Sequence, residues 1–209
     1  KSDDPKEYLY TMPYSTIAKY DVGKRPSTVW PGKEQSPAIK PLATELIDSV
    51  ENYVKANGLD PMRYNIEIKC RKGKDEGKNW PEYHEFVDKC MELLLSKNLG
   101  DRLVVQCFDA RALNYMHEKY PQVKLSYLIG KKDTDWDTYM GKLNFTPEWL
   151  SPEFVIVDQT MVDNCRKAGI RLVPWTVDNE ADIRRILDLH VEAIITNYPD
   201  RVLKISRGY

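Results

Sequence analysis

At 209 residues the chain is long enough for one sizeable domain or two small ones, and its apolar and charged fractions are those of an ordinary globular protein. With 31 basic and 32 acidic residues there is no electrostatic reason to expect nucleic acid or an anionic membrane as partner. No apolar run approaches the roughly 20 residues that span a bilayer, so no transmembrane segment is expected.

In chain order, residues 1–12 are polar and without period, and read as a loop or arm. Met12 to Gln35 is a long connection rich in proline and glycine around Tyr20-Asp21-Val22-Gly23, with a short helical turn near Ser15 to Tyr20. Pro41 to Asn57 carries Leu42, Leu46, Ile47, Val50 and Val54 at helical spacing, and Gly58 stops it.

Tyr64-Asn65-Ile66-Glu67-Ile68-Lys69 is a strand. Its alternation sends Tyr64, Ile66 and Ile68 to one face and Asn65, Glu67 and Lys69 to the other. An acid and an amine thus stand together at its C-terminal end, where barrels of parallel strands build their sites. Glu67 could ligate a hard divalent cation, and Lys69 could hold an anion as a compact point charge. Alone, the six residues fit better an antiparallel strand with one wet face. The charged, glycine-containing loop Arg71 to Asn79 follows and could rim a site, though solvation is the better explanation for any one of its lysines.

Trp80 to Lys97 is a second amphipathic helix with Phe86, Cys90, Leu93 and Leu94 on its apolar face. Leu103 to Phe108 is an apolar run, as in a strand covered on both faces of a parallel sheet. Asp109 can cap the helix Ala110 to Tyr120, which Pro121 ends, and Val123 to Ile129 is the next strand. Further on, the pattern predicts a helix over Asp133 to Leu143, a strand over Phe154 to Val157, and a helix from Thr160 to Ala168 closed by Gly169. Ile170 to Val177 then reads as a strand, Asp178 as the cap of a helix Glu180 to Leu189, and Val191 to Thr196 as the last strand. Strands and helices alternate without a linker or repeat, which argues for one α/β domain over residues 1–209 with parallel strands. Cys70, Cys90, Cys107 and Cys165 lack CxxC spacing and read as buried thiols on strands and helices, not as a disulfide framework or zinc site.

Four strand ends now stand in order: Asn65-Ile66-Glu67-Ile68-Lys69, Gln106-Cys107-Phe108-Asp109, Trp175-Thr176-Val177 and Ile195-Thr196-Asn197-Tyr198-Pro199-Asp200. Their order and spacing resemble the glycerophosphodiester phosphodiesterase family, over nearly the whole chain from about Tyr14. The resemblance implies a TIM-type (β/α)8 barrel. It also implies hydrolysis of glycerophosphodiesters to glycerol 3-phosphate and an alcohol, with a divalent cation, Ca2+ or Mg2+. It makes Glu67 a metal ligand, Lys69 a contact to the substrate phosphate, and Phe108 and Trp175 the aromatic pair lining the pocket. Packing alone would also explain Trp175.

Cys107 stands where the family commonly has serine, and Asn197 where it commonly has aspartate. The family's opening His-Arg-Gly, its second histidine and its Glu-x-Asp find no match. The resemblance therefore places the catalytic histidine pair upstream and implies that the first three strands are missing from a chain that begins at Lys1. His84, His117 and His190 fall in or at the end of amphipathic helices and read as structural or solvent-exposed. On this reading the chain alone should not turn over. Alternatives are a related phosphodiesterase or phospholipase on the same barrel, and a phosphate-binding pseudoenzyme. The partner expected is a small-molecule glycerophosphodiester. Oligomeric state and compartment stay open, with an extracytoplasmic lean from bacterial relatives.

Overall fold

The structure, a computed structural model, describes residues 8–26, 32, 34–70, 72–73 and 76–207. The chain divides into two units, Lys1–Met62 with Arg71–Asn98, and Arg63–Cys70 with Leu99–Tyr209. Most of the expected polar arm, and Arg71, Lys74 and Asp75 of the charged loop, lie outside the described residues.

Among its described residues the first unit holds three α-helices. α1 (Tyr14–Ile17) is the short turn expected near Ser15. The connection after it is organised by one carboxylate: Asp21 accepts the backbone N–H groups of Gly23 (2.9 Å), Lys24 (3.0 Å) and Ala38 (3.4 Å). These bonds hold the Asp21 carboxyl below the ordinary carboxylate range. A Cβ on Gly23 would overlap the Ser36 carbonyl oxygen, so this close approach requires glycine.

α2 (Ala43–Ala56) starts where the Glu45 carboxylate accepts the Leu42 N–H, and stops at Asn57 with Gly58 at φ 60°. Its buried stripe is narrower than the hydrophobic pattern suggests. Ile47 and Val54 are buried, whereas Leu42 and Leu46 are exposed. α3 (Tyr83–Leu95) begins later than Trp80 because Glu82 caps it, accepting from His84 N at 2.9 Å and Glu85 N at 3.4 Å. Its buried residues are Val87, Met91 and Leu94: Leu94 is buried as predicted, whereas Val87 and Met91 lie one position round the helix from the predicted Phe86 and Cys90. Either set fits helical spacing, so packing chose between them. Lys97 bonds both carboxylate oxygens of Asp48 (2.8 and 2.7 Å) and ties the end of α3 to α2.

The second unit is a parallel sheet with helices. β1 (Tyr64–Glu67), β2 (Leu103–Cys107), β3 (Lys124–Ile129), β4 (Trp149–Pro152) and β5 (Arg171–Leu172) pair in sequence order, every pair parallel. Beyond β5, Ile195 N–H donates to Pro174 O and Val177 N–H to Ile195 O, both at 2.9 Å, so the predicted last strand is held there by hydrogen bonds without a regular ladder. Ile170 to Val177 likewise follows β4 through hydrogen bonds from Val173 and Trp175, but only two of its residues form a ladder. Among the described residues no strand precedes Tyr64.

Two predicted elements fall elsewhere. Phe154 to Ile156 is a 3-10 turn, and the strand is Trp149–Pro152, which pairs from Ser126 to Ile129 on one side and with Arg171 and Leu172 on the other. Buried Ser151 breaks the apolar run that would have marked that strand, while Val155, inside the apolar run, is exposed. The helix expected over Asp133 to Leu143 is only α5 (Trp136–Met140), because Asp135 caps it by accepting Thr138 N–H at 2.8 Å.

α4 (Ala110–Lys119) packs on β2 and β3. Its cap is Asp109, as expected, accepting Arg111 N–H at 3.0 Å while the Arg111 guanidinium forks onto the same carboxylate. α6 (Gln159–Ala168) packs on β5, is capped by Asp158, and ends at Gly169 with φ 71°, the left-handed position that glycine serves. α7 (Glu180–Asp188) and α8 (Pro199–Ser206) pack together, with Pro199 at the first turn of α8. Asp178 does not cap α7; Asn179 does, accepting Asp182 N–H at 2.9 Å.

Candidate functional site

Strand parity divides the sheet into two chemically different faces. In register, Leu103, Val105 and Cys107 stand with Leu125, Tyr127, Ile129, Leu150 and Leu172, all buried. This is the face that the helices cover. The opposite row runs through Asn65, Glu67, Val104, Gln106, Ser126, Trp149, Ser151 and Arg171. Its polar groups pair among themselves: Asn65 Nδ2 donates to Gln106 Oε1 (3.1 Å), and the Ser126 and Ser151 hydroxyls lie 2.6 Å apart. Buried polar groups need such partners.

At the C-terminal end of β1, on this polar face, Glu67 and Lys69 form an ion pair, Oε2 to Nζ 3.4 Å. At the same end of β2 and just beyond β5, the Phe108 and Trp175 rings meet edge to face, centroids 5.6 Å apart at 84°. The Trp175 indole N–H donates to Ser151 O at 2.8 Å, which fixes the ring, and the Trp175–Thr176 peptide bond is cis. Phe108 is 47% exposed, unusual for a large aromatic at the end of a buried strand. The fold thus assembles both predicted pairs.

Two further carboxylates lie at strand ends where pattern reading assigned no site. Glu153, bridged to Trp175 just after β4, accepts Lys131 N–H at 2.9 Å. Asp178 accepts Thr196 Oγ1 (3.1 Å), Asn197 N (2.9 Å) and Asn197 Nδ2 (3.0 Å), so it organises the Thr196–Tyr198 loop rather than a helix end. Only the strand parity of Glu153 could have marked it, once β4 was placed correctly.

Within the second unit neither histidine stands on the polar face. His117 stacks on Phe145 at 4.1 Å, and His190 closes α7 with φ 55°. In the first unit, exposed His84 pairs with Glu82. A cavity on the polar face opens at the other end of the sheet, at the strand starts, between Arg63, Asp101, Lys124 and Arg171. Trp149 Nε1, beside it, is buried without a hydrogen-bond partner among the described residues. That cavity is remote from the strand ends that carry Glu67, Lys69, Phe108 and Trp175, and side-chain chemistry, not concavity, locates the candidate site.

Among the described residues no group of three or more His, Cys, Asp or Glu side chains converges as a metal site. Glu67 contributes one carboxylate, and calcium takes about six to eight oxygens. The described residues therefore do not by themselves fit a complete cation site. Among them, no helix is long and apolar enough to cross a membrane.

A sequence model of the Glycerophosphoryl diester phosphodiesterase family matches residues 3–201. A glycerophosphodiester phosphodiesterase of Bacillus subtilis (strain 168) is 30% identical over 120 residues, 56% of this chain and 41% of that protein. One from Caldanaerobacter subterraneus subsp. tengcongensis is 24% identical over 127 residues, 60% of this chain and 51% of its own length. The chain spans about half the length of these curated relatives. In fold it is similar to an Oleispira antarctica phosphodiesterase solved in complex with the product sn-glycerol-3-phosphate, with TM-score 0.71 and 21% identity over 94% of this chain and 71% of that one.

Proposed function

The chain belongs to the glycerophosphoryl diester phosphodiesterase family, and from that membership we propose that it is part of an enzyme that hydrolyses glycerophosphodiesters to glycerol 3-phosphate and an alcohol. The observation that carries this reading is the Glu67–Lys69 pair, 3.4 Å apart, at the same end and on the same face of the parallel sheet as the Phe108–Trp175 pair. On this reading the sheet is the larger part of a (β/α)8 barrel whose other strands lie outside the described residues. Lys69 offers three donors to the phosphate oxygens and balances their charge. The crossed rings of Phe108 and Trp175 present an apolar wall for the glycerol carbons, held rigid by the indole bond to Ser151 O.

The overall reaction adds water across a P–O ester bond. Oxygen from water bonds to phosphorus, the alkoxide leaves, and a proton passes from the attacker to the leaving oxygen. The two histidines that would carry that proton are proposed to come from outside this chain, since the second unit's own His117 and His190 do not stand at the site. Glu67 is proposed as one ligand of a divalent cation, Ca2+ or Mg2+, whose remaining ligands would come from outside the described residues. The roles given to Lys69, Phe108 and Trp175 do not pass through that cation.

The test measures sn-glycerol 3-phosphate binding by calorimetry and glycerophosphocholine hydrolysis by product release. It uses this chain and the full-length protein, each with and without added Ca2+ or Mg2+. Hydrolysis by the full-length protein that a chelator stops supports the reading. Binding without hydrolysis in the full-length protein would instead make it a phosphate-binding pseudoenzyme. Neither binding nor hydrolysis would refute both.

A further inference from the structure

The cavity at the strand starts is walled by one end of the sheet's polar face. Register sets Val104 beside Lys124, and Ser126, Trp149 and Arg171 side by side across β3, β4 and β5. Among the lining side chains Arg63, Arg102, Lys124 and Arg171 are basic, and Asp101 is the single acid. That acid is already engaged. Its carboxylate lies 2.9 Å from Lys124 Nζ, and the bond from Lys124, with a smaller contribution from Arg63, holds it below the ordinary carboxylate range. The lining therefore carries an excess of positive charge.

Two hydrogen-bond donors there lack an acceptor. Trp149 Nε1 is buried without a partner among the described residues, a state that native folds seldom leave uncompensated. The Arg171 guanidinium stacks on the same ring, 5.2 Å from its centroid. Among the described residues the Arg171 side chain donates no hydrogen bond, so its fork is open. The neutral polar side chains nearby are paired elsewhere, Asn65 with Gln106 and Ser126 with Ser151. What remains is a set of N–H donors and cations beside an apolar wall that includes Val104 and Val173.

We propose that this cavity binds a small monocarboxylic acid with an apolar body. A carboxylate only accepts hydrogen bonds, which matches a site that offers only donors. Its two oxygens accept from the Arg171 fork and from Trp149 Nε1–H, and its charge answers the basic excess. The apolar body lies against Val104 and Val173. The cavity measures about 190 Å3, below the roughly 300–1,000 Å3 of sites for drug-sized ligands, so the acid is small. The site lies at the opposite end of the sheet from Glu67 and Lys69 and does not rest on the proposed phosphodiesterase activity.

The test titrates benzoate into the isotope-labelled chain and follows the tryptophan indole N–H signals by NMR. Benzamide, which has the same body without the charge, and inorganic phosphate, which has charge without the body, are titrated in parallel. The Trp149 signal is the one absent from Trp149→Phe; if that variant does not fold, assignment through the backbone identifies it. Benzoate should move this signal downfield and saturate, with benzamide and phosphate at least about tenfold weaker. Arg171→Gln should weaken benzoate about tenfold to a hundredfold, with the other indole signals unmoved as the check that it folds. Any of three results overturns the proposal. One is a Trp149 signal that benzoate leaves in place, and another is phosphate binding as tightly as benzoate, which marks an unselective cluster of cations. The third is benzoate bound by this chain and not by the full-length protein, which would mean that residues outside the described ones fill the cavity.

Discussion

Replacing Lys69 with methionine separates a ligand-binding role from a surface role, because the two carry different magnitudes. The Lys69 side chain is 75% exposed and that of its partner Glu67 27%, with 3.4 Å between charges. An exposed pair of this kind contributes about 0.2–1 kcal/mol to stability. Lys69→Met should therefore lower Tm by no more than about 2–4 °C in a chain of this length. A hydrogen bond between a charged donor and phosphate contributes about 1.5–3 kcal/mol. Its loss should weaken sn-glycerol 3-phosphate binding about tenfold to a hundredfold. Part of the loss should come from the bared Glu67 carboxylate repelling the phosphate, so Glu67→Gln in the same chain should recover some affinity. Calorimetry in low and high salt gives the affinities, and a thermal melt gives the stability. An unchanged Kd would refute the phosphate role, and a fall in Tm well beyond 4 °C would make any weakening a consequence of structure.

Glu67→Gln in the full-length protein should abolish cation-dependent hydrolysis with the circular dichroism spectrum retained; near-normal turnover at saturating cation removes Glu67 from the site. Ser126 and Ser151 are fully buried and bonded to each other at 2.6 Å, so alanine at either strands the other hydroxyl and should cost about 1–3 kcal/mol. The double alanine variant should cost less than the sum of the singles by about 1 kcal/mol in urea unfolding, and strict additivity would contradict the pairing. Asp135, hydrogen-bonded by the Thr138 side chain and N–H, has its carboxyl held below the ordinary range. Its stabilising contribution is thus present above the unfolded value of about 3.9 and lost as pH falls through the lower folded one. Asp135→Asn should flatten the fall of Tm between pH 5 and 2; an unchanged slope would show that the cap does not titrate with folding.

Period and capping were legible because they are local. Alternation over Tyr64 to Lys69 sends Glu67 to the face opposite Ile66, and the parallel neighbours keep it there. Asp109 before Ala110 and Gly169 after Ala168 end their helices through bonds that reach only a few residues. The ordered strand ends were sufficient to recognise the family.

What the tertiary structure alone decided are choices between local equals. Trp149–Pro152 became β4, and Phe154 to Val157 did not, because pairing needs a partner on each side, and neither partner is visible in the four residues themselves. Asp178 and Asn179 are both competent caps; the loop at Thr196 and Asn197, far along the chain, took Asp178 and left α7 to Asn179. The contact of Phe108 with Trp175 likewise joins residues many positions apart. Such contacts form only when strand order and register bring distant segments side by side, and neither hydrophobic period nor capping chemistry, acting within a few residues, carries that information.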